Sequence, residues 1–378
     1  MDVISTLFMH WWQVVFYVFC LVTLIQLIFY WFLFKRVAFY KPATKEKSQQ
    51  HPVSVIVCAR DEAANLAKYL PGVLVQTYPS TNEIIVVNHN SQDETRYLLE
   101  ELKKTFKGLH IVNLEQEALG IPGKKYPLSI GIKEAKHEII LLTDADCVPA
   151  SEFWIQKMQD AYTDGIEVVL GYGAYYKHPG FLNKLIRFET FHTALQYLSY
   201  ALAGMPYMGV GRNLSYKKGL FLRNKGFSSI NHVQSGDDDL FINQVANKNN
   251  ISVVIDPDAF TLSEPKKTFG DWIRQKNRHF TTSKFYKPSH KFLLGLYSIT
   301  HFLFYPLLII SAIFYSWQIS LGLFAVRSIT QAIIWYKAMQ KLQEKDLFSL
   351  WWFFDIWMFL YYLIFAPALW RKPKKSWN

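Results

Sequence analysis

The chain has 378 residues, of which 51% are hydrophobic, and its formal net charge is +11. This length leaves room for one α/β domain of about 200 to 250 residues and a second part. The three cysteines are an odd number without zinc-ligand spacing, which argues against a disulfide framework and against a zinc site. Because the basic residues cluster beside apolar segments, the charge favours an anionic membrane surface over a nucleic acid as partner.

The first apolar segment, residues 7–34, contains no charged side chain. It exceeds the ~20 apolar residues that cross a bilayer and is too long for a signal peptide, so it predicts a retained anchor within residues 1–40. Basic residues follow it directly, at Lys35, Arg36, Lys41, Lys45 and Lys47. By the positive-inside rule they place the next domain in the cytoplasm, after a polar linker at 41–51.

Strands and helices are predicted to alternate between residue 51 and residue 290. The strands are predicted at 53–59, 83–89, 110–114 and 138–145, and the helices at 60–76, 93–106, 124–135 and 151–161. This alternation is typical of an α/β fold with a mainly parallel sheet. In such sheets ligands bind at the carboxyl ends of the strands, where Arg60, Asp61, Asn88 and Asp144 lie.

Asp144 and Asp146 stand one residue apart at the end of the last of these strands. Carboxylate oxygens are preferred ligands of Mg²⁺ and Mn²⁺, so the pair predicts a divalent metal site that is shared with phosphate oxygens. The alternative is an aspartate turn that caps the helix predicted at 151–161. The Asp-x-Asp pattern alone does not separate the two.

The C-terminal third contains three further apolar stretches, at 292–315, 320–336 and 347–370. The middle stretch carries Arg327, and an arginine within a membrane faces partner groups or water, or marks a helix in the interface. Three complete crossings would leave the basic residues near the end of the chain outside, against the positive-inside rule. We therefore expect membrane-spanning and interfacial helices at 286–378, with one stretch that does not fully cross.

Six motifs occur in a fixed order: VSVIVCARDEAANL, EIIVVNHNSQDET, GKKYPLSIGIKEAKHEIILLTDADCVP, GVGRNLSYKKGLF, SGDDDLFI and RQKNRHF. Together they resemble the membrane-bound family 2 glycosyltransferases with a GT-A fold, the broad group that includes hyaluronan and cellulose synthases and ceramide glucosyltransferases. The resemblance covers residues 51–285 and, through the flanking spans, the layout of the whole chain. It implies a cytoplasmic GT-A catalytic domain at 52–285.

The resemblance implies transfer of a sugar, with inversion at the anomeric carbon, from a nucleotide-diphosphate donor to a lipid or lipid-linked acceptor. Asp146 would bind the Mg²⁺ or Mn²⁺ directly, with Asp144 nearer the ribose and the sugar. Lys124 and Arg278 match residues that contact the donor, although a solvated loop lysine and an arginine held by lipid headgroups are the alternatives. The implied location is the cytoplasmic face of the cell inner membrane.

Three successive carboxylates, Asp237, Asp238 and Asp239, match the segment that supplies the family's catalytic base. Like charges this close raise at least one pKa, which favours a base, whereas caps of a helix that starts here are the alternative. Matching without gaps puts Gly236 on the family's glutamate and Asp237 on the catalytic aspartate. A shift by one residue selects Asp238 instead, and both stay candidates.

The resemblance implies that the acceptor is bound by Gln275, Gly211 and His279. Gln275 matches the glutamine of the family's Gln-x-x-Arg-Trp motif, and Gly211 lies in the glycine-containing acceptor-side segment. His279 stands where the family usually has a tryptophan that stacks at the acceptor. The smaller imidazole puts long-chain processivity in doubt.

On the donor side, the resemblance adds Arg60, Asp61, Glu62 and Asn88. Asn88 and its neighbour His89 replace two acidic residues, one of which commonly reads the nucleobase, so recognition of uracil cannot be assumed. Two other functions stay open. One is a processive polysaccharide synthase, for which the apolar stretches are few, and the other is a non-catalytic membrane protein that binds nucleotide sugars.

Overall fold

The structure is a computed structural model that describes residues 10–42, 50–116, 120–365 and 367. The chain divides into two compact units. One consists of the described residues within Met1–Tyr40 and Pro288–Pro367 and is called the helical unit here. The other consists of those within Lys41–Lys287 and is called the sheet unit.

Twelve α-helices cover most of the described chain outside the strands. In chain order they are α1 (Trp11–Ala38), α2 (Ala63–Leu74), α3 (Thr95–Thr105), α4 (Lys125–Glu134), α5 (Trp154–Gln159), α6 (Phe181–Leu202), α7 (Lys218–Arg223), α8 (Asp239–Val245), α9 (Phe269–Phe280), α10 (Pro288–Phe314), α11 (Trp317–Lys341) and α12 (Trp351–Phe365). A π-helical turn at Phe29–Phe34 forms part of α1.

The sheet unit contains ten strands among its described residues. They are β1 (Val53–Ala59), β2 (Asn82–His89), β3 (Leu109–Leu114), β4 (Ile139–Asp144), β5 (Cys147–Pro149), β6 (Val168–Leu170), β7 (Gly173–Tyr175), β8 (Leu214–Lys217), β9 (Ile251–Val253) and β10 (Thr261–Ser263). Seven of them form a sheet in the order β3-β2-β1-β4-β8-β6-β9, and a smaller sheet has the order β5-β10-β7. The pairs β1–β2, β1–β4, β2–β3 and β6–β9 are parallel, and β8 is antiparallel to its two neighbours. The mainly parallel α/β sheet predicted from the sequence is confirmed.

Apolar side chains on both faces explain why β1, β2 and β4 form the centre of the sheet. Every residue of β1 is buried, and Asn82 and Asp144 are the exceptions in β2 and β4. Valine and isoleucine dominate these strands, which suits a sheet that is covered on both sides. A Cβ at Gly131 of α4 would lie 2.8 Å from the Ile56 side chain and 2.9 Å from that of Val87. This close approach holds α4 firmly against β1 and β2.

The four strands and the first three helices predicted in this unit are confirmed, with ends that shift by at most three residues. The fourth helix is confirmed within the same tolerance, because α5 runs from Trp154 to Gln159, whereas the strand β5, which follows Asp146 directly, was not predicted. β5 pairs with β10, a partner far along the chain, and such a partner is invisible to local sequence spacing. α5 has no side-chain cap, so the two aspartates do not cap it.

Four segments of the described chain are long and apolar enough to cross a membrane. They are α1, α10, α11 and Lys345–Phe365, which includes α12. Large apolar side chains on these helices are exposed, among them Tyr17, Phe32, Phe292 and Ile313. Exposed apolar surface on helices of this length matches a lipid environment, so we treat the chain as a membrane protein.

The limits of the spans differ in detail from the predicted ones. The first span ends at Ala38 rather than at residue 34, while its predicted start at 7–9, Lys45, Lys47 and the basic end of the chain lie outside the described residues. The last candidate span, Lys345–Phe365, has 21 residues, a length that is sufficient for a full crossing. The expectation that one C-terminal stretch does not fully cross stays a prediction.

Arg327 of α11 has no exposed surface and is surrounded by polar groups of the helical unit. It donates from Nη2 to Asp355 Oδ1 at 2.9 Å and to Gln26 Oε1 at 3.0 Å, and from Nη1 to Gln331 Oε1 at 3.1 Å. Asp355 also accepts from Tyr305 Oη at 2.5 Å. This network joins α1, α10, α11 and α12. Of the environments considered for Arg327, the structure has the one in which it faces partner groups.

Arg327→Leu should strongly destabilise the helical unit, because Asp355 would stay buried without its counter-charge. Breaking a buried pair from one side costs about 3–5 kcal/mol, whereas replacing both partners by apolar residues is often neutral. We therefore expect the melting temperature in detergent to fall for Arg327→Leu and to recover in Arg327→Leu/Asp355→Leu. A double variant whose loss equals the sum of the two single losses would contradict a coupled pair.

Candidate active site

A two-residue connection between β4 and β5 carries the Asp-x-Asp pattern at the carboxyl end of the sheet. One carboxylate oxygen each from Asp144 and Asp146 and the sulfur of Cys147 lie within 4.8 Å of one another. The Cys147 thiol donates to Asp146 Oδ1 at 3.3 Å. Burial raises the pKa of Cys147 well above its usual range, so it stays a thiol. The two aspartates are therefore the hard oxygen donors of this turn.

The two aspartates line a cleft of about 190 Å³. Its lining comes from the end of β1, the loop after it, the residue before α4 and the end of β4, and consists of Cys58, Arg60, Glu62, Lys124, Asp144, Ala145 and Asp146. The carboxyl ends of two adjacent parallel strands thus meet at one cleft, as the position of the polar residues predicts. The tertiary structure brings five of the predicted donor and metal residues together there.

Lys124 and Asp144 form an ion pair at the cleft. Burial works to raise the pKa of Asp144, but the charge and hydrogen bond of Lys124 hold it below its ordinary value, with smaller contributions from Arg212 and Arg278. Burial works to lower the pKa of Lys124, and the charge of Asp144 raises it overall, with a further contribution from Asp237. Lys124 is therefore not a solvated loop lysine.

The donor set of the cleft fits a divalent cation of the Mg²⁺ or Mn²⁺ kind. Burial, followed by the charge of Asp144, raises the pKa of Asp146. Burial also raises the pKa of Glu62, with the two aspartates adding to it and a hydrogen bond from Asn65 opposing it. Three carboxylates thus line one space together with two cationic side chains, Arg60 and Lys124, of which Lys124 pairs with Asp144. Hard oxygen donors in excess of positive charge are the ligands that Mg²⁺ and Mn²⁺ prefer, and Asp146 and Asp144 would hold the ion.

Arg212 is absent from the residues predicted from the sequence, yet its charge acts on the acidic turn. It donates to Ser263 Oγ at 2.8 Å, and its guanidinium lies 4.3 Å from the centroid of the Tyr175 ring. Arg212 contributes to lowering the pKa of both Asp144 and Asp146. An arginine inside the motif GVGRN was the available signal. The contacts that orient the Arg212 side chain come from β7 and β10. Sequence spacing does not show that these strands lie beside Arg212.

The three consecutive aspartates have three different environments. Asp239 is buried and accepts hydrogen bonds from Thr282 and, at 2.8 Å, from Tyr286 Oη. Asp237 is only partly buried and accepts no hydrogen bond from the described part of the chain. The carboxylate of Asp239 therefore ties the segment after α9 to α8, while that of Asp237 is available to a ligand.

Asp238 caps α8 and binds the main chain at Gly211. Its Oδ2 accepts from the main-chain N of Gly211 at 2.8 Å, and its Oδ1 accepts from that of Asp239 at 2.7 Å. Burial, followed by the charges of Asp237 and Asp239, raises the pKa of Asp238 to about 8. A raised pKa in this cluster is as predicted, but burial contributes more to it than repulsion. The cap interpretation applies to Asp238.

Gly236 gives the chain the turn that precedes these aspartates. Its φ is +103°, and a Cβ there would lie 2.5 Å from the Leu240 side chain. A side chain at this position would therefore strain the backbone and collide with α8. The glutamate that ungapped matching places at Gly236 has no room in this conformation. The turn directly precedes Asp237.

The residues predicted on α9 are Gln275, Arg278 and His279. Arg278 is exposed, and its charge contributes to the lowered pKa of Asp144. The Oε1 atom of Gln275 is buried and has no hydrogen-bond partner in the described chain. An unsatisfied buried acceptor costs about 1–3 kcal/mol, so this atom is available to a donor group of a ligand or to a water molecule. The side chain of His279 lies outside the described residues.

Asp61 and Asn88 do not line the cleft, whereas Arg60 does. Asp61 has a φ of +56° and accepts from the main-chain N of Gln92 at 2.6 Å, so it joins the loops after β1 and β2. Asn88 is buried and donates to Asn113 Oδ1 at 2.9 Å. Their contacts in this structure are with the protein, and their predicted contacts with a donor stay predictions.

Residues 51–282 match the protein family described as Glycosyltransferase like family 2. The chain is 27% identical over 191 residues to the glycosyltransferase AglE of Haloferax volcanii, which is 49% of this chain and 58% of AglE. It is 32% identical over 120 residues to the beta-monoglucosyldiacylglycerol synthase of Trichormus variabilis, 31% of this chain and 25% of that protein. It is also 32% identical over 125 residues to the poly-beta-1,6-N-acetyl-D-glucosamine synthase of Staphylococcus epidermidis, 32% of this chain and 28% of that protein. The chain thus spans less than two thirds of the length of each relative.

Among solved structures, the chain resembles the mannosyltransferase PcManGT from Pyrobaculum calidifontis in complex with GDP-Man and Mn²⁺. The TM-score is 0.56 at 19% sequence identity, and the match covers 92% of this chain and 99% of that one. At this identity the likeness concerns the fold. It agrees with the GT-A fold predicted from the motifs.

Asp238 should make stability fall as the pH rises. The native state holds its proton up to about pH 8, whereas an unfolded aspartate releases it near pH ~4. The contribution of Asp238 to the free energy of unfolding is therefore complete below the pKa of the unfolded state, and it is lost as the pH rises through the pKa of the folded state. Asp238→Asn cannot ionise, so its melting temperature relative to the unsubstituted protein should rise from about pH 5 to pH 8. A difference in melting temperature between the two proteins that stays constant across this pH range would contradict the assignment.

Proposed function

We propose that this chain, which belongs to glycosyltransferase family 2, transfers a sugar from a nucleotide-diphosphate donor to a hydroxyl of a lipid or lipid-linked acceptor, with inversion at the anomeric carbon. The observation that carries the proposal is the cleft in which Asp144, Asp146 and Lys124 converge, within electrostatic range of Asp237 and Arg278. Such a transfer needs a counter-charge for the leaving diphosphate and a base for the acceptor hydroxyl.

The charges around the cleft suit a diphosphate. Lys124, Arg212 and Arg278 supply positive charge, and the two arginines are permanently charged groups that match phosphate oxygens. Asp146 and Asp144 would hold Mg²⁺ or Mn²⁺, which supplies Lewis-acid neutralisation of the leaving diphosphate when bound. The GDP-Man and Mn²⁺ in the PcManGT structure support a nucleotide-sugar donor and a divalent metal here.

Asp237 is our assignment for the base. Its carboxylate takes the proton of the acceptor hydroxyl while the oxygen forms a bond to the anomeric carbon and the bond from that carbon to the diphosphate breaks. Asp238 is less suited, because it already accepts two main-chain hydrogen bonds and holds a proton at neutral pH. Asp239 is bound by Thr282 and Tyr286. Asp237 is the member of the cluster whose carboxylate is available.

A membrane-resident acceptor is supported by the order of elements along the chain. α9 carries Gln275 and Arg278 and ends at Phe280, and the candidate span α10 begins at Pro288, so only residues 281–287 separate them. The printed name of one relative, beta-monoglucosyldiacylglycerol synthase, specifies a glycolipid product for that protein. Lys35 and Arg36 at the end of α1 support a cytoplasmic active site at the inner membrane.

Asp237→Asn should lower kcat by about 10²–10⁴-fold, because the acceptor hydroxyl loses its base. The KM for the donor should change little, since Asp237 lies outside the lining of the cleft. The measurement is nucleotide diphosphate release and glycolipid formation by the full chain in lipid nanodiscs, with a panel of radiolabelled nucleotide sugars. Glu101→Gln is the matched control, since Glu101 lies exposed on α3 in a surface ion pair and should be dispensable.

The same assay separates the other two functions. Donor binding that is strong in calorimetry but unaffected by Asp237→Asn, without transfer or donor hydrolysis, would overturn the enzymatic proposal in favour of a nucleotide-sugar-binding protein. Long products on a gel would instead identify a polysaccharide synthase, an activity that the Staphylococcus epidermidis relative carries in its name.

Metal removal should abolish transfer, and Mn²⁺ or Mg²⁺ should restore it. Asp146→Asn removes a direct carboxylate ligand, so the Mn²⁺ concentration for half-maximal activity should rise at least about tenfold. Electron paramagnetic resonance of free Mn²⁺ would report the affinity independently of catalysis. Asp164→Asn, at an exposed position, is the control. Activity that survives chelation, with equal Mn²⁺ affinity in both variants, would exclude the metal site.

A further inference from the structure

Lys125 has no exposed surface, although it follows directly after the cleft residue Lys124. Lysine is rarely fully buried unless it is paired. Its ammonium forms no ion pair within the described chain, and it donates instead to the main-chain oxygens of Val233 and, at 2.8 Å, Ser235. Burying a positive charge is costly, and two hydrogen bonds to carbonyl groups do not neutralise it, so packing alone does not explain Lys125.

The two carbonyl groups belong to the loop that leads to Asp237. This loop, residues 231–238, has no regular secondary structure. Ser235 lies two positions before Asp237, and Gly236 between them adopts a left-handed φ of +103°. A segment of this kind has many accessible conformations, so the two hydrogen bonds from Lys125 select one of them. At its C-terminal end the loop is bounded by α8, which begins at Asp239.

The beginning of α4 therefore contacts both halves of the site through adjacent residues. Lys124 binds Asp144 of the acidic turn, and Lys125 binds the loop before Asp237. α4 itself is held against the sheet by the close approach at Gly131. One rigid element thus sets the position of the loop relative to the cleft. A displacement of about 1 Å can cost 10²-fold in rate when two reacting groups must meet.

We propose that Lys125 is a positioning residue, whose buried ammonium holds the Val233–Ser235 main chain so that Asp237 faces the acceptor hydroxyl beside the donor cleft. The inference rests on the proposed function, in which Asp237 is the base. The charge of Lys125 has a second consequence. Asp237, Asp239 and Asp238 all interact with it, and a positive charge nearby favours their ionised forms.

Lys125→Met removes both the hydrogen bonds and the charge at similar side-chain length. We expect kcat to fall on the order of 10²-fold, with the KM for the donor and the Kd of the nucleotide diphosphate within about threefold. The acidic limb of the kcat/KM pH profile should move to higher pH, because ionisation loses a neighbouring positive charge. Lys125→Arg retains donors and charge and should recover part of kcat and the original limb. Lys133→Met, exposed on the same helix, is the matched control.

A wild-type kcat and pH profile in a folded Lys125→Met enzyme would overturn the inference. So would a rate loss that is explained by lost donor binding and is not improved by arginine. Should the methionine variant not fold, Lys125→Gln carries the test, since it offers N–H donors without the charge. The acidic limb of its kcat/KM pH profile should still move to higher pH. An unchanged limb would refute the claim that the charge of Lys125 favours ionisation of the neighbouring aspartates. If Asp237→Asn itself leaves kcat unchanged, the base assignment fails, which is distinguishable from a failure at Lys125 alone.

Discussion

Compensation of carboxylate charge is the constraint on which the sheet unit depends. Asp144, Asp146 and Glu62 share one cleft, and three further aspartates follow one another at the start of α8. Carboxylates that are close together and partly removed from water are penalised both by desolvation and by mutual repulsion. The chain offsets these costs with cations and main-chain N–H groups from other elements. Lys124 and Arg212 serve the acidic turn in this way.

Each of these contacts also joins two segments that are separate in the sequence, and together the contacts fix the relative positions of the site residues. Asp238 binds the main chain of Gly211, and Asp239 binds the segment that follows α9. A carboxylate left without such a contact is then available for chemistry, and Asp237 is that group. The helical unit follows the same rule, because Arg327 is buried only with a full set of partners on the other helices. Charge pairing between elements therefore organises both units, and the candidate site lies in the sheet unit.

The first four strands and the helices between them could be predicted because valine and isoleucine runs alternate with helical spacing, and both patterns are local. The acidic turn could also be predicted, since a pair of aspartates at the end of a buried strand lies at the ligand-binding edge of a parallel sheet. The strand β5 was not predicted, because it exists only through its pairing with β10. Arg212 and Lys125 were missed for a similar reason, because their partners are strands and loops that lie far away along the chain.

The amino-acid order is sufficient for the α/β alternation, the apolar spans, the family resemblance and the set of charged residues, because periodicity and composition act over short distances. It cannot rank three adjacent aspartates, since their intrinsic chemistry is the same. Folding separates them by giving Asp237, Asp238 and Asp239 different hydrogen-bond partners and by burying Asp239 more deeply than the other two. Arg327 shows the same limit, because its pattern allowed a partner, water or the interface. Contact with Asp355 on another helix selects the first, and such contacts arise only when the chain is folded.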